Sequence, residues 1–206
     1  MSKSALATAV LVLAAALPGP PLQAQVRNAP APARAWVTGW AGMYTTVDAI
    51  GNPTDAGVST WRFDDNVFAF GAGAEYEVAQ GLLLGAEGSY ASTDFEVLDD
   101  NTVTDQGSAG LLGLFATGRL RYGGNNTVGG YLKGMAGGFG YQMGDTIGTN
   151  FDLALSTGAG LEYRFRSRAA LYLEWNRIWA YHEKEGIDGG NTGKHSQLRL
   201  GFRKGF

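Results

Sequence analysis

The sequence predicts an all-β fold, an eight-stranded antiparallel up-and-down transmembrane β-barrel. Three observations predict it. Apolar residues recur with a period of two in segment after segment, and no segment beyond residue 34 sustains a helical period. Longer connections alternate strictly with tight turns. The charges within the strands collect on the face opposite the Leu, Phe and Tyr side chains.

Composition removes most other classes. A chain of 206 residues is the size of one domain. With 45% hydrophobic and 12% aromatic residues it is too apolar for disorder, and its 32 glycines follow no collagen period. A net charge of −3 gives no basic footprint, so no nucleic-acid partner is expected. The absence of cysteine excludes disulfides, thiol catalysis, Cys-based zinc sites and a lipidated cysteine.

The amino terminus has the order of a secretory signal: Lys3, an apolar run from Ala5 to Leu17, and PGPP at 18–21. The run is too short to span a bilayer as a helix. Residues 1–24 are expected to be a signal peptide cleaved after Ala24, and 25–33 a short periplasmic lead-in to a barrel over 34–206.

Eight strands follow, at about 34–47, 61–78, 82–96, 107–122, 128–143, 151–165, 169–181 and 195–206. In the second, Phe68, Phe70, Tyr76 and Val78 oppose Gly71, Gly73, Glu75 and Glu77. In the third, Leu82, Leu84 and Tyr90 oppose Glu87 and Ser89, and in the fourth Leu112, Leu114, Leu120 and Tyr122 oppose Thr117, Arg119 and Arg121. In the sixth, Leu153, Leu155, Leu161, Tyr163 and Phe165 oppose Asp152, Ser156, Glu162 and Arg164. The seventh sets Leu171, Leu173 and Trp175 against Tyr172 and Glu174, and the last sets Leu198, Leu200, Phe202 and Phe206 against Gln197, Arg199 and Arg203. The phases of 34–47, which carries Trp36, Trp40 and Tyr44 on one face, and of 128–143, where Lys133 stands between Tyr131 and Met135, stay open.

The connections span 48–60, 79–81, 97–106, 123–127, 144–150, 166–168 and 182–194. Segregated loop lengths of this kind are what a barrel produces when its two rims face different environments. A charge on the lipid face near mid-membrane costs about 2–4 kcal/mol for Arg or Lys, so the charged face is expected inside. The repeat Gly-Ala-Gly-x-Glu-Tyr, at 71–76 and 158–163, then places small residues and a glutamate inward and a tyrosine outward. Tyr76, Tyr163 and Phe165 are expected in an interfacial girdle, with Trp36, Trp61, Trp175, Trp179 and Tyr181 available at one rim or the other.

Eight strands leave an interior that side chains can fill, so an ion-pair network of Glu75, Glu87, Arg119, Arg121, Glu162, Arg164, Glu174, Arg199 and Arg203 is expected in the lumen. Neighbouring strands would allow Arg164 to face Glu174 and Glu87 to face Arg119.

Over residues 35–206 the chain resembles the small eight-stranded outer-membrane barrels of the OmpA, OmpX and opacity-protein type. The resemblance is carried by GAGLEYRF followed by RSRAALYLEWNRI, and by the ending LRLGFRKGF. It implies residence in the outer membrane of a two-membrane bacterium, in contact with its lipid. It also implies an assembly signal, Leu198, Leu200, Phe202 and Phe206, read by the barrel-assembly machinery. Lys204 departs from that pattern, where an aromatic or apolar residue is usual.

Three constellations resemble catalytic or ligand sites. His195-Ser196 is similar to the residue pair of lipid A deacylases, but strand neighbours point to opposite faces and cannot share a nucleophile–base hydrogen bond without a bulge. Asp99-Asp100 and His182-Glu183 fall in expected outside loops, where polar residues are commonplace. The glycines of GYLKGMAGGFGYQMG lack the strand–loop–helix setting of a phosphate loop. No catalytic residue, metal or cofactor is therefore expected.

The functional expectation is a barrel with a polar, plugged lumen and a structural or surface-interaction role. The alternatives are a narrow channel or small-solute transporter and, behind it, an outer-membrane lipid hydrolase. The outside loops hold Asp48, Asp55, Asp99, Asp100, Asp105, Asp145, Glu183, Glu185 and Asp188 against Lys184 and Lys194, an acidic surplus that disfavours a polyanionic surface ligand. The surface ligand itself stays unknown.

Overall fold

The computed structural model describes residues 34–47, 60–99, 102–123, 127–143, 148–181 and 192–206; the expected signal peptide and lead-in lie outside them. The strands are β1 Ala35–Thr46, β2 Thr60–Phe63, β3 Val67–Ala79, β4 Leu82–Asp99, β5 Thr102–Tyr122, β6 Val128–Met143, β7 Gly148–Arg164, β8 Ala169–Tyr181 and β9 Thr192–Gly205. Each antiparallel neighbour pairs in turn, β1 pairs with both β3 and β9, and β4 pairs with both β3 and β5. The eight long strands thereby close into a barrel with no free edge in the ring. At one end the connections are tight, with left-handed backbone at Gly81 (φ 80°) and Gly123 (φ 94°), where a residue without a β-carbon is unstrained.

The structure departs from the expected strand map in two places. The second stave is interrupted at 64–66, where Asn66 takes a left-handed φ of 62°, so that β2 and β3 replace one strand. The connection expected over 97–106 is mostly strand. β4 and β5 go on pairing to Asp99 opposite Thr102, through a register shift between Val97 and Leu98, and β2 adds to the extension through Thr60 opposite Leu98 and Phe63 opposite Phe95. The β-branched Thr102, Val103 and Thr104 suit this ladder despite the acidic residues around them.

Parity separates two surfaces. Phe68, Phe70, Leu114, Leu153, Leu161, Leu171, Leu173, Leu198, Leu200 and Phe202 are exposed on the outside, while the alternate positions are buried. In the membrane-spanning strands this leaves an outward apolar band, with Tyr76, Tyr163 and Phe165 toward the short-turn end and Trp175 midway along β8. The open phases resolve inward: Trp36, Trp40 and Tyr44 on β1, and Tyr131, Lys133, Met135, Phe139 and Tyr141 on β6, all point into the barrel. Trp36 therefore does not belong to the girdle.

The inward aromatics fit because glycines stand opposite them. Trp40 faces Gly71 on β3 and Gly201 on β9, Tyr131 faces Gly160, and Tyr172 faces Gly201. A β-carbon at Gly71 would come within 2.5 Å of the Trp40 ring, and one at Gly201 within 2.2 Å of Tyr172. The repeated Gly-Ala-Gly is thus a packing device as well as an alternation.

Candidate functional site

The lumen is filled in two layers. Nearer the tight turns lies a connected network of ions. Glu87, from β4, accepts from Lys133 Nζ at 2.5 Å and from two nitrogens of Arg199. Glu174, from β8, pairs with Arg199, lies 3.7 Å from both Lys133 Nζ and an Arg119 guanidinium nitrogen, and accepts from Tyr131 Oη at 2.6 Å and Asn176 Nδ2 at 2.9 Å. Arg119 Nε lies 2.9 Å from Glu75 Oε1, whose other oxygen is 3.7 Å from Arg203. Arg203 in turn pairs with Glu162, which also holds Arg121 Nε at 3.0 Å and Arg164.

All nine residues singled out from the sequence take part, and Glu75, Glu87, Arg119, Glu162, Glu174, Arg199 and Arg203 are almost fully buried. Two suggested pairings are not the ones formed. Arg164 lies across from Ala170 while Gly160 faces Glu174, so Arg164 pairs with Glu162 on its own strand. Glu87 lies across from Phe115 and Arg119 from Leu83, four residues apart along β4, so each finds partners on other strands. Lys133 is the member that alternation missed, because its bulky neighbours Tyr131 and Met135 resemble a lipid-facing row.

Aromatic rings back the cations. The Arg119 guanidinium lies 4.2 Å from the Tyr131 ring centre, Arg199 lies 4.6 Å from Trp40 and Arg203 lies 4.6 Å from Trp36. In a space from which water is largely excluded such contacts strengthen.

The second layer, nearer the long extension, corrects the expectation of a polar lumen throughout. Tyr44, Phe63, Phe95, Phe115, Phe139 and Tyr141 are buried together there with Val47, Val67 and Leu111. Phe63 stacks on Tyr141 at 5.4 Å, Phe139 stacks on His195 at 5.0 Å, and Tyr44 meets Phe139 edge-on at 6.0 Å. The signal was present in the parity of β4, where Phe95 and Val97 share the face of Glu87.

His195 and Ser196 keep opposite faces. The His195 ring shares a 2.6 Å hydrogen bond with Tyr141 Oη inside the lumen, while Ser196 Oγ accepts from Arg177. Asp99 accepts from Thr104 Oγ1 at 3.3 Å within the extension; Asp100, His182 and Glu183 lie outside the described residues. Among the described residues no group of three or more His, Asp or Glu is arranged to hold a metal ion.

The family model for the outer membrane protein β-barrel domain matches residues 8–206. No curated protein is significantly similar in sequence. Among solved structures the chain is similar to Neisserial surface protein A, with a TM-score of 0.56 at 13% identity over 84% of this chain and 97% of that one. It is equally similar to OprG from Pseudomonas aeruginosa, with a TM-score of 0.56 at 13% identity over 85% and 97%. Identities this low carry the fold and nothing finer.

Proposed function

The chain belongs to the outer membrane protein β-barrel domain family, and from that premise we propose that it is a closed, non-enzymatic barrel whose filled lumen makes it a rigid support for a structural or surface-interaction role. The observation that supports this reading is the pairing of two different fillings in series. An ion crossing the barrel would have to break the Glu87–Arg199–Glu174–Lys133 cluster and then pass the packed rings of Phe139, Tyr141 and Phe63. Separating one partner of a buried ion pair costs about 3–5 kcal/mol, and the apolar layer offers an ion no compensating partner.

Export through a cleaved signal at 1–24 and recognition of Leu198, Leu200, Phe202 and Phe206 by the barrel-assembly machinery complete the proposal. These four side chains are all exposed on the outer surface, where an assembly factor could read them before lipid covers them. The deciding experiment is planar-bilayer conductance of the refolded protein. The proposal expects no steady conductance of porin size; a large, stable open state would move the assignment to the channel class.

A further inference from the structure

The short-turn end of the barrel is strongly basic. Arg34, Arg166 and Arg168 are exposed there, Lys204 is half-buried, and Arg121 and Arg164 stand at the mouth of the lumen. They are drawn together by the backbone. Gly205 N donates to Arg168 O, Lys204 Nζ donates to Ser167 O, Arg34 N donates to Phe206 O, and Arg164 Nη2 donates to Tyr122 O. The described acids at this end are engaged: Glu162 is buried beneath three arginines, Glu75, across from Trp36, pairs with Arg119 and lies 3.7 Å from Arg203, and Glu77 accepts from Gly81 N. Residues 1–33 and 124–126, which are not among those described, contain no Asp or Glu in their sequence.

A second feature singles out the β7–β8 turn. Arg168 holds a left-handed backbone, φ 57°, which glycine or asparagine would adopt with less strain. Placing arginine there works against the turn, which directs attention to its side chain. The neighbours indicate what it meets. Tyr163, Phe165 and Phe206 are exposed on the outer surface beside these cations, and Tyr163 and Phe165 meet edge-on at 5.1 Å. Outward aromatics interleaved with cations mark the level of lipid headgroups rather than a surface facing bulk water.

We propose that this rim binds the phosphate headgroups of anionic phospholipids in the leaflet it meets, with Arg166 and Arg168 as the principal contacts and Arg34 and Lys204 beside them. Guanidinium groups suit this task because they present paired N–H donors to phosphate oxygens. The inference is independent of whether the lumen conducts, so its failure would leave the closed-barrel reading untouched.

The test uses the full barrel refolded into phosphatidylcholine vesicles containing spin-labelled phosphatidylglycerol or spin-labelled phosphatidylcholine, with the motionally restricted lipid at the protein surface read by electron spin resonance. The parent protein should prefer phosphatidylglycerol by a factor on the order of five for each cation engaged, and the preference should shrink with added salt. Arg166→Gln with Arg168→Gln should remove most of it, while Asp99→Asn on the far extension should not. Arg168→Gly, which the turn conformation favours, should fold as well as the parent and still lose preference, separating a lipid contact from a structural role. Equal retention of the two lipids by the parent, an unchanged preference in the Arg166/Arg168 variant, or complete displacement by inorganic phosphate would overturn the proposal.

Discussion

The ring of Tyr131 occupies the space that a side chain at Gly160 would need: a β-carbon built there falls 2.3 Å from the ring. The two residues face each other across β6 and β7, and the same phenol carries its hydroxyl to Glu174. A glycine therefore positions an aromatic that in turn orients the carboxylate at the centre of the ion network.

Replacing Gly160 by valine should displace Tyr131 and destabilise the barrel by about 1–3 kcal/mol, the usual cost of overpacking. Gly134 makes the comparison, because a β-carbon there meets nothing within 4 Å. Gly134→Ala should be neutral or stabilising by up to about 1 kcal/mol. Urea unfolding in detergent, followed by tryptophan fluorescence, gives both values; equal losses at the two positions would contradict the steric account.

Glu174→Ala should be among the most destabilising single changes in the lumen, at about 3–5 kcal/mol. It leaves Arg199, Lys133 and Arg119 with one carboxylate fewer in a space that excludes water. Glu87→Ala should follow closely, since Lys133 and Arg199 converge on it as well. Heat-modifiable migration on gels, measured as the temperature at which the folded band disappears, checks the order. Variants as stable as the parent would mean that the lumen is hydrated.

Deleting Phe206 should lower the yield of assembled barrel without changing synthesis or export. Its side chain is 66% exposed on the outer surface, and its backbone N–H donates to Ala35 O where the last strand meets the first. The deletion thus removes lipid-facing area and a contact of the closing seam together. An unchanged ratio of folded to unfolded band in isolated membranes would sink the idea.

Mass spectrometry of the chain purified from membranes should find a mature amino terminus near Gln25. An intact Met1, or a soluble periplasmic pool, would contradict the reading of residues 1–24 as a cleaved signal.

Alternation made the outline legible wherever a strand carried a charge. Glu75, Glu162 and Arg199 each fix the inward face of a whole strand, because moving one residue along a strand reverses every side chain. β1 has no charged residue between Ala35 and Thr46, so nothing local tells Trp36 and Trp40 which way to point. The answer lies in glycines on other strands, Gly71 and Gly201, whose alignment depends on register. The aromatic layer was hidden on β6 for a related reason: Phe139 resembles a lipid-facing residue until the rings packed on it are known. Turn-forming residues misled in both directions. Asp64, Asp65 and Asn66 break a stave that alternation carried through, while Asp99 and Asp105 sit inside a ladder.

Backbone hydrogen bonds join Arg34 to Phe206 and Phe206 to Ala35 where the first and last strands run side by side. Topologically the staves form a cycle, and the position of the break in that cycle is a property of the gene rather than of the folded ring. A circular permutant in which a short linker joins residue 206 to residue 34, with new termini opened between Asp99 and Thr102, would retain every strand pairing of the ring while changing which strand is made last.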